Sequence, residues 1–409
     1  MLIRYFLNPE AGDALDVQAE VHGTAKELRL MDVSGFLTHA IRNLTPIPPS
    51  EIGFDTVDTG VWRLPLKRGN TRFRYSVPTR FAKAWKHGIL PVVKGTGSTF
   101  FLGNGVFLRA LLSEEVRYEI RIAGHASSSL PATGHYWTAR NGRQLSLGGF
   151  VCGDFTETGA SGGGIPLSLL FDRGMEGLRE EITSLSSLLV QEMTRIFGET
   201  PSETLSMFIF KTPRSPAPGE KAIGSGLSFH RGIFLQLTAS SKANAWLILH
   251  ELAHQWLGQD IHAGEPGVKW FLEGTASWCA MTAAQALGFL TRDHRHELLS
   301  QSGETYLRAA EMIIGKNPAL LEARTTHSYE TEGGILLIHG LDRFFRNKGR
   351  TGFRDFLRAF YTTFRGAPIS NGDILRAAET FAGTPLPPYV REFLEKKGLL
   401  PFREWVETD

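Results

Sequence analysis

Ala245-Trp246-Leu247-Ile248-Leu249-His250-Glu251-Leu252-Ala253-His254-Gln255-Trp256 decides the reading of this 409-residue chain. Its apolar residues run without a turn-former, so the stretch predicts a helix, with Ser240 and Ser241 as N-cap candidates. His250 and His254 are four apart, one helical turn above one another on nearly the same face. Both imidazoles can therefore reach one metal ion at about 2.0–2.1 Å. Glu251 adjoins that face: poorly directed to be a ligand, it can still contact a water held by the ion.

H-E-x-x-H alone is a short pattern, and 13 histidines make a chance occurrence credible. The bland alternative is a helix whose histidines bond to neighbouring segments. The downstream sequence argues against it. Gly264, Pro266 and Gly267 end the helix and turn the chain. Trp270-Phe271-Leu272-Glu273-Gly274-Thr275-Ala276-Ser277-Trp278 then opens a second helical pattern that can present Glu273 to the same ion. A catalytic zinc takes three protein ligands and keeps a position for water, so Glu273 is a candidate third ligand beside His250 and His254, in the geometry of a metal-activated hydrolase. His262 is a rival third ligand, but the pattern that uses a third His needs Gly at 257 and His at 260, where Leu257 and Asp260 stand.

Upstream, Leu15, Val17, Ala19, Val21, then Phe73, Tyr75, Val77, then Val116, Tyr118, Ile120, Ile122 alternate with polar residues. The first 150 or so residues thus predict half-buried strands in an antiparallel β domain. Its connections are Pro- or Gly-rich stretches such as Thr45–Ser50 and Gly95–Gly105. Lys94-Gly95-Thr96-Gly97-Ser98 lacks the order of a phosphate-binding loop and reads as a turn, and Gly159–Gly164 reads as a linker. From Met175 the apolar period becomes helical through Ile196, with Gly198 ending the run; Leu205–Phe210 and Leu227–Leu237 read as strands. Phe356, Leu357, Phe360 and Phe364 share one helical face, and Ile374, Ala377, Ala378 and Phe381 another.

Over about residues 170–400, and most strongly from Asn244 to Trp278, the chain resembles the gluzincin metallopeptidases, in particular the aminopeptidase N-like family and the related glycyl aminopeptidase family. His254 and Glu273 carry the family's spacing, Trp270, Glu273 and Gly274 match its W-x-x-E-G, and His250–Trp256 reads as its H-E-L-A-H-Q-W. The resemblance implies an α+β multidomain protein: an N-terminal antiparallel, β-sandwich-like domain over 1–160, a thermolysin-like α/β catalytic domain over 161–290, and a mostly helical C-terminal part over 291–409. It implies one zinc ion with His250, His254 and Glu273 as ligands, Glu251 as general base, and a peptide substrate. A tyrosine that donates to the oxyanion is also implied, and Tyr329 in Tyr329-Glu330-Thr331-Glu332-Gly333-Gly334 is the choice, with Tyr306 or His327 as substitutes; Glu332 stands where the family has Lys and one residue is extra.

The family's G-x-M-E-N strand, whose Glu binds the substrate's α-amine, corresponds here to Gly224–Arg231, which brings Gly226, Leu227 and Ser228 to the substrate-binding position but supplies no acid. Either another acid such as Glu330 meets the amine or no free N-terminus is required. Two further functions stay open: a peptide-binding or scaffolding protein that keeps the metal site with little turnover, and a zinc hydrolase of a non-peptide substrate.

Charge argues against some partners. Forty-four Lys and Arg against 42 acids leave a formal charge of +2 without a dense basic run, so nucleic acid is not an expected partner. Two cysteines make no disulfide framework. No run approaches the ~20 apolar residues that span a bilayer, and the start does not read as a secretory signal, so a cytoplasmic location without membrane contact is expected.

Overall fold

The structure, a computed structural model, describes residues 1–9, 14–23, 27–31, 41–47, 55–58, 61–65, 69–79, 92–111, 116–201, 204–212, 224–237, 244–314 and 323–406. Ser240 and Ser241 lie outside them. The chain divides into two compact units. One holds Met1–Ala160, Pro166–Thr183 and Thr204–Ala239; the other holds Ser161–Ile165, Ser184–Glu203 and Ser240–Asp409.

The first unit is β-rich, and the alternating residues build its core. Leu15, Val17, Ala19 and Val21 on strand Ala14–Gly23 are buried, as are Phe73, Tyr75 and Val77 on Gly69–Pro78, which pairs with it antiparallel. These strands belong to a seven-stranded sheet that also contains Leu2–Asn8 and Arg117–Ile122. That last pair is parallel, a departure from the all-antiparallel expectation. Alternation reports which face is buried but not strand direction, so the sequence carried no signal for it. Thr45, Pro46 and Ile47 likewise extend strand Arg42–Ile47 instead of lying in a connection.

A five-stranded sheet runs in the order Phe155–Gly162, Ile165–Asp172, Leu205–Lys211, Gly232–Leu237, Ser225–Phe229. Its middle pairings are parallel. Two corrections follow. Gly159–Gly164 is no linker: the chain turns back at Gly163 and Gly164, with φ of 56° and 83°, and joins two strands. Leu227–Leu237 is not one strand but a hairpin, closed at His230-Arg231 where Arg231 takes a φ of 58°. An apolar run that folds back on itself keeps its period through the turn, which is why it read as continuous.

Lys94–Ser98 is a turn, as expected, between strands Val92–Lys94 and Ser98–Leu102, with the Gly95 N–H donating to the Ser98 carbonyl oxygen at 2.8 Å. It wraps an anion supplied by the chain itself. The Asp172 carboxylate accepts from the backbone N–H of Thr96, Gly97 and Ser98 at 2.9, 3.1 and 3.0 Å, from Ser98 Oγ at 2.7 Å and from Gly174 N–H at 3.3 Å. Burial pushes this carboxyl up, but the Ser98 hydroxyl and the backbone donors outweigh it and hold Asp172 below the usual carboxylate range.

The second unit is helical, and its relevant members are Ala245–Trp256, Lys269–Ala286, Arg292–Ile313 and Ala323–Asn347. Trp256 stacks on Phe197 with ring centroids 4.9 Å apart and donates through Nε1 to the Glu199 carbonyl oxygen at 2.7 Å. Helices Lys269–Ala286 and Ala323–Asn347 cross at Gly274 and Gly334. A Cβ at Gly334 would lie 2.3 Å from the Trp270 carbonyl oxygen, and one at Gly274 would lie 2.4 Å from the Gly334 carbonyl carbon, so only glycine permits this approach.

Asp172→Ala is expected to destabilise the protein on the order of 3 kcal/mol in denaturant unfolding, since each buried donor left without an acceptor costs ~1–3 kcal/mol. Because the folded carboxyl is held low, its contribution is present above the ordinary Asp value of 3.8 and lost as pH falls through the folded one. The gap between wild type and variant should thus persist from neutral to mildly acidic pH and close only in strong acid. A neutral-pH difference under about 0.5 kcal/mol, the size of an ordinary surface substitution, would refute the anchoring role.

Candidate active site

The metal helix forms over Ala245–Trp256 with Asn244 before it, and Ile248, Leu249, Leu252 and Ala253 are buried on its core side. His250 and His254 are half-buried one turn apart, as the i, i+4 spacing requires. Glu273 falls in the second turn of Lys269–Ala286 and is half-buried too. His250 Nε2 and His254 Nε2 lie 3.2 Å apart, and Glu273 Oε2 is 3.5 Å from the first and 3.6 Å from the second.

These distances test whether the residues suit zinc. Donor atoms each about 2.0–2.1 Å from one ion at tetrahedral angles are ~3.4 Å from each other. The observed triangle matches that edge on all three sides, and two imidazoles with one carboxylate are ligands zinc takes with a fourth position left for water. Among the described residues these three form the one such group.

The other ring nitrogens are held as well. His254 Nδ1 lies 3.1 Å from the Leu257 carbonyl oxygen, and His250 Nδ1 lies 3.2 Å from Ser277 Oγ. The first contact depends on how the helix ends. Leu257 leaves the helical conformation with φ −108° and ψ 108°, and Gly258 follows with φ 112°, a value that suits glycine. The sequence reading missed Ser277, although its i+4 spacing from Glu273 puts it on the same face; the Leu257 carbonyl could not be read from residue types at all.

Electrostatics follow from this convergence. Burial disfavours a charged His254, but Glu273, with Glu251 and the Leu257 carbonyl, outweighs it and lifts the imidazole to about 9. Burial likewise opposes ionised Glu273, yet the two histidines hold it far below the carboxylate range. Glu251 is buried beside them and close enough to act on His254.

Other expected site residues are placed elsewhere or differently. Tyr329 is buried, stacks on Phe393 with centroids 4.9 Å apart, and donates its hydroxyl to the Phe393 carbonyl oxygen at 3.0 Å. A phenol has one proton to donate, so in this arrangement Tyr329 has none for an oxyanion. Tyr306 accepts from the Leu400 N–H at 3.2 Å, and exposed His327 meets Lys269 Nζ through Nδ1 at 2.8 Å. His262 lies in a two-residue strand with its N–H donating to Ala367, outside the triad. Gly226, Leu227 and Ser228 sit on Ser225–Phe229, paired with Leu235, Phe234 and Ile233 on one side. That strand ends its sheet, so its other edge has no strand partner among the described residues.

Comparison with known proteins gives the class. Residues 234–395 match the peptidase family M1 domain. No curated protein matches the sequence. The fold is similar to that of an aminopeptidase N family protein from Idiomarina loihiensis, with a TM-score of 0.80 at 16% identity over 99% of this chain and 78% of that one. It is also similar to an M1 zinc metallopeptidase from Deinococcus radiodurans, with a TM-score of 0.62 at 15% identity over 98% and 94%. Yeast leukotriene A4 hydrolase gives a TM-score of 0.60 at 13% identity over 99% and 67%. The α+β multidomain fold, with β-rich N-terminal and helical C-terminal parts, is that of this group. The recognised resemblance to gluzincin, aminopeptidase-like metallopeptidases holds over the domain that carries the triad, and the match and the donor set together support a zinc metallopeptidase. No helix among the described residues is long and apolar enough to cross a membrane.

Glu273→Ala is expected to bind less than a tenth of the zinc that wild type holds after dialysis, read by mass spectrometry, because two imidazoles alone leave the ion without its third protein ligand. Full zinc occupancy in that variant would remove Glu273 from the site.

Proposed function

We propose that this protein is a zinc-dependent peptidase that cleaves peptide bonds with an activated water, and that aminopeptidase action with a non-standard amine site is its form. The observation that carries this is the 3.2–3.6 Å triangle of His250, His254 and Glu273 with Glu251 buried beside it. Zinc, held by these three side chains, would supply Lewis acidity and lower the pKa of water towards about 7. Glu251 takes the proton released as water attacks the scissile carbonyl and hands it to the leaving amine. Gly226, Leu227 and Ser228 would bind an extended peptide along their strand, which stands last in its sheet among the described residues, as the family resemblance implies. With no acid on Ser225–Phe229, the substrate ammonium would be met by another group such as Glu330, or cleavage would not need it. A cytoplasmic setting is part of the proposal and agrees with two unpaired, buried cysteines.

A second reading is favoured by one observation: a protein that binds peptides but turns them over poorly. The Tyr329 hydroxyl is engaged with Phe393, so service as the oxyanion donor would require it to leave that partner.

Glu251→Gln should keep its zinc and lose at least about 100-fold in kcat on peptides, the scale of a lost general base; a variant as active as wild type would overturn the assignment. Paired free and N-acetylated peptides separate the forms: cleavage of the free peptide alone supports an aminopeptidase, whereas binding of either without cleavage supports the second reading. Tyr329→Phe should cost about 1 kcal/mol of stability through the lost hydrogen bond and less than tenfold in kcat. A loss of 100-fold or more would show that the hydroxyl turns to the substrate.

A further inference from the structure

Ser277 stands one turn beyond Glu273 on the same helix, and its hydroxyl lies 3.2 Å from His250 Nδ1. Only 8% of the residue is exposed, so the contact is largely shielded from competing water. The two imidazoles of the site are thus held by partners of different chemistry. The Leu257 carbonyl oxygen at His254 Nδ1 can only accept. It fixes the proton of a neutral His254 on Nδ1 and leaves the Nε2 lone pair facing His250 and Glu273. A hydroxyl can donate or accept, so Ser277 accommodates His250 in the tautomer that presents Nε2 and also holds its ring plane, with no charge added to the site.

We infer that Ser277 is a positioning residue: by accepting the Nδ1 proton of His250, it orients that imidazole so that its Nε2 completes the cation site with His254 and Glu273. This rests on the metal-site reading above and extends it to a residue that touches neither the ion nor the substrate. Without the hydroxyl the His250 ring gains rotational freedom about its terminal torsion, and part of the binding energy must go to re-ordering it. The helix itself should tolerate the change, because alanine is the better helix former.

The test uses the full chain stripped of metal and titrated with zinc against a competing chelator. Ser277→Ala should raise the zinc Kd about 10–100-fold, the usual scale for losing a partner of a metal-bound histidine, while the unfolding midpoint of the metal-free protein stays near that of wild type. Ser277→Thr, which keeps the hydroxyl, should restore affinity to within about threefold of wild type by the same reasoning. Cobalt(II) substitution gives a second readout, since a reoriented His250 shifts the visible bands and a change confined to helix packing does not. Wild-type zinc affinity with an unchanged cobalt spectrum in Ser277→Ala overturns the inference. Equal weakening by Ala and Thr, accompanied by lower metal-free stability, also overturns it and assigns Ser277 to packing. Glu273→Ala serves as the control: if it too leaves zinc affinity intact, the metal site itself is wrongly read, an outcome distinct from the failure of Ser277 alone.

Discussion

Two imidazole nitrogens 3.2 Å apart, each within 3.6 Å of one carboxylate oxygen, are an arrangement that a flexible chain would not keep. Holding three polar side chains at this spacing costs conformational entropy and desolvation, and the return comes from shared charge: the carboxylate favours a protonated His254, and a divalent cation can take the place of that charge. The surrounding fold supplies the rigidity that makes the triangle permanent. Two helices carry all three groups, and both are pinned by large buried side chains.

The pins are specific. Trp256 closes the metal helix, with its ring stacked on Phe197 and its indole N–H donating to the Glu199 carbonyl. Trp270 begins the neighbouring helix and donates to Asn371 Oδ1 at 2.8 Å. Between them, the glycine crossing lets the backbone around Trp270 and Gly274 sit directly against Gly334. Substituting a larger residue there would move the helix that carries Glu273 and Ser277 together. The pair functions as a unit because Glu273 and Ser277 project from successive turns: one closes the ligand triangle, the other holds a ligand from behind.

Legibility differed between the triad and the parts around it. His250, His254 and Glu273 could be read because helical periodicity converts spacing into direction, and the turn-formers between the helices demand a reversal that brings the second against the first. Tyr329 could not be placed this way. The resemblance pointed to it, but it lies buried inside helix Ala323–Asn347 and its hydroxyl partner is a backbone carbonyl 64 residues on, a contact of a range that no spacing rule reports. The hairpin at His230-Arg231 was hidden for another reason: the apolar period survives the turn, and Arg is not a residue that announces a left-handed backbone.

The Lys94–Ser98 loop shows the same division. Its glycines correctly indicated a tight turn, and its order excluded a phosphate cradle, yet the backbone donors do gather around an anion, the carboxylate of Asp172. By itself the sequence determined the buried strand faces, the helix that carries His250 and His254, and the candidacy of Glu273 beside them, because faces and helix follow from local period and Glu273 from the reversal that the turn-formers impose. Tertiary structure alone decided strand direction, the hydrogen-bond partner of Tyr329, the Leu257 and Ser277 contacts behind the histidines, and the anion inside the glycine loop. Each of these joins groups through backbone atoms or across long separations, where residue type carries no directional information.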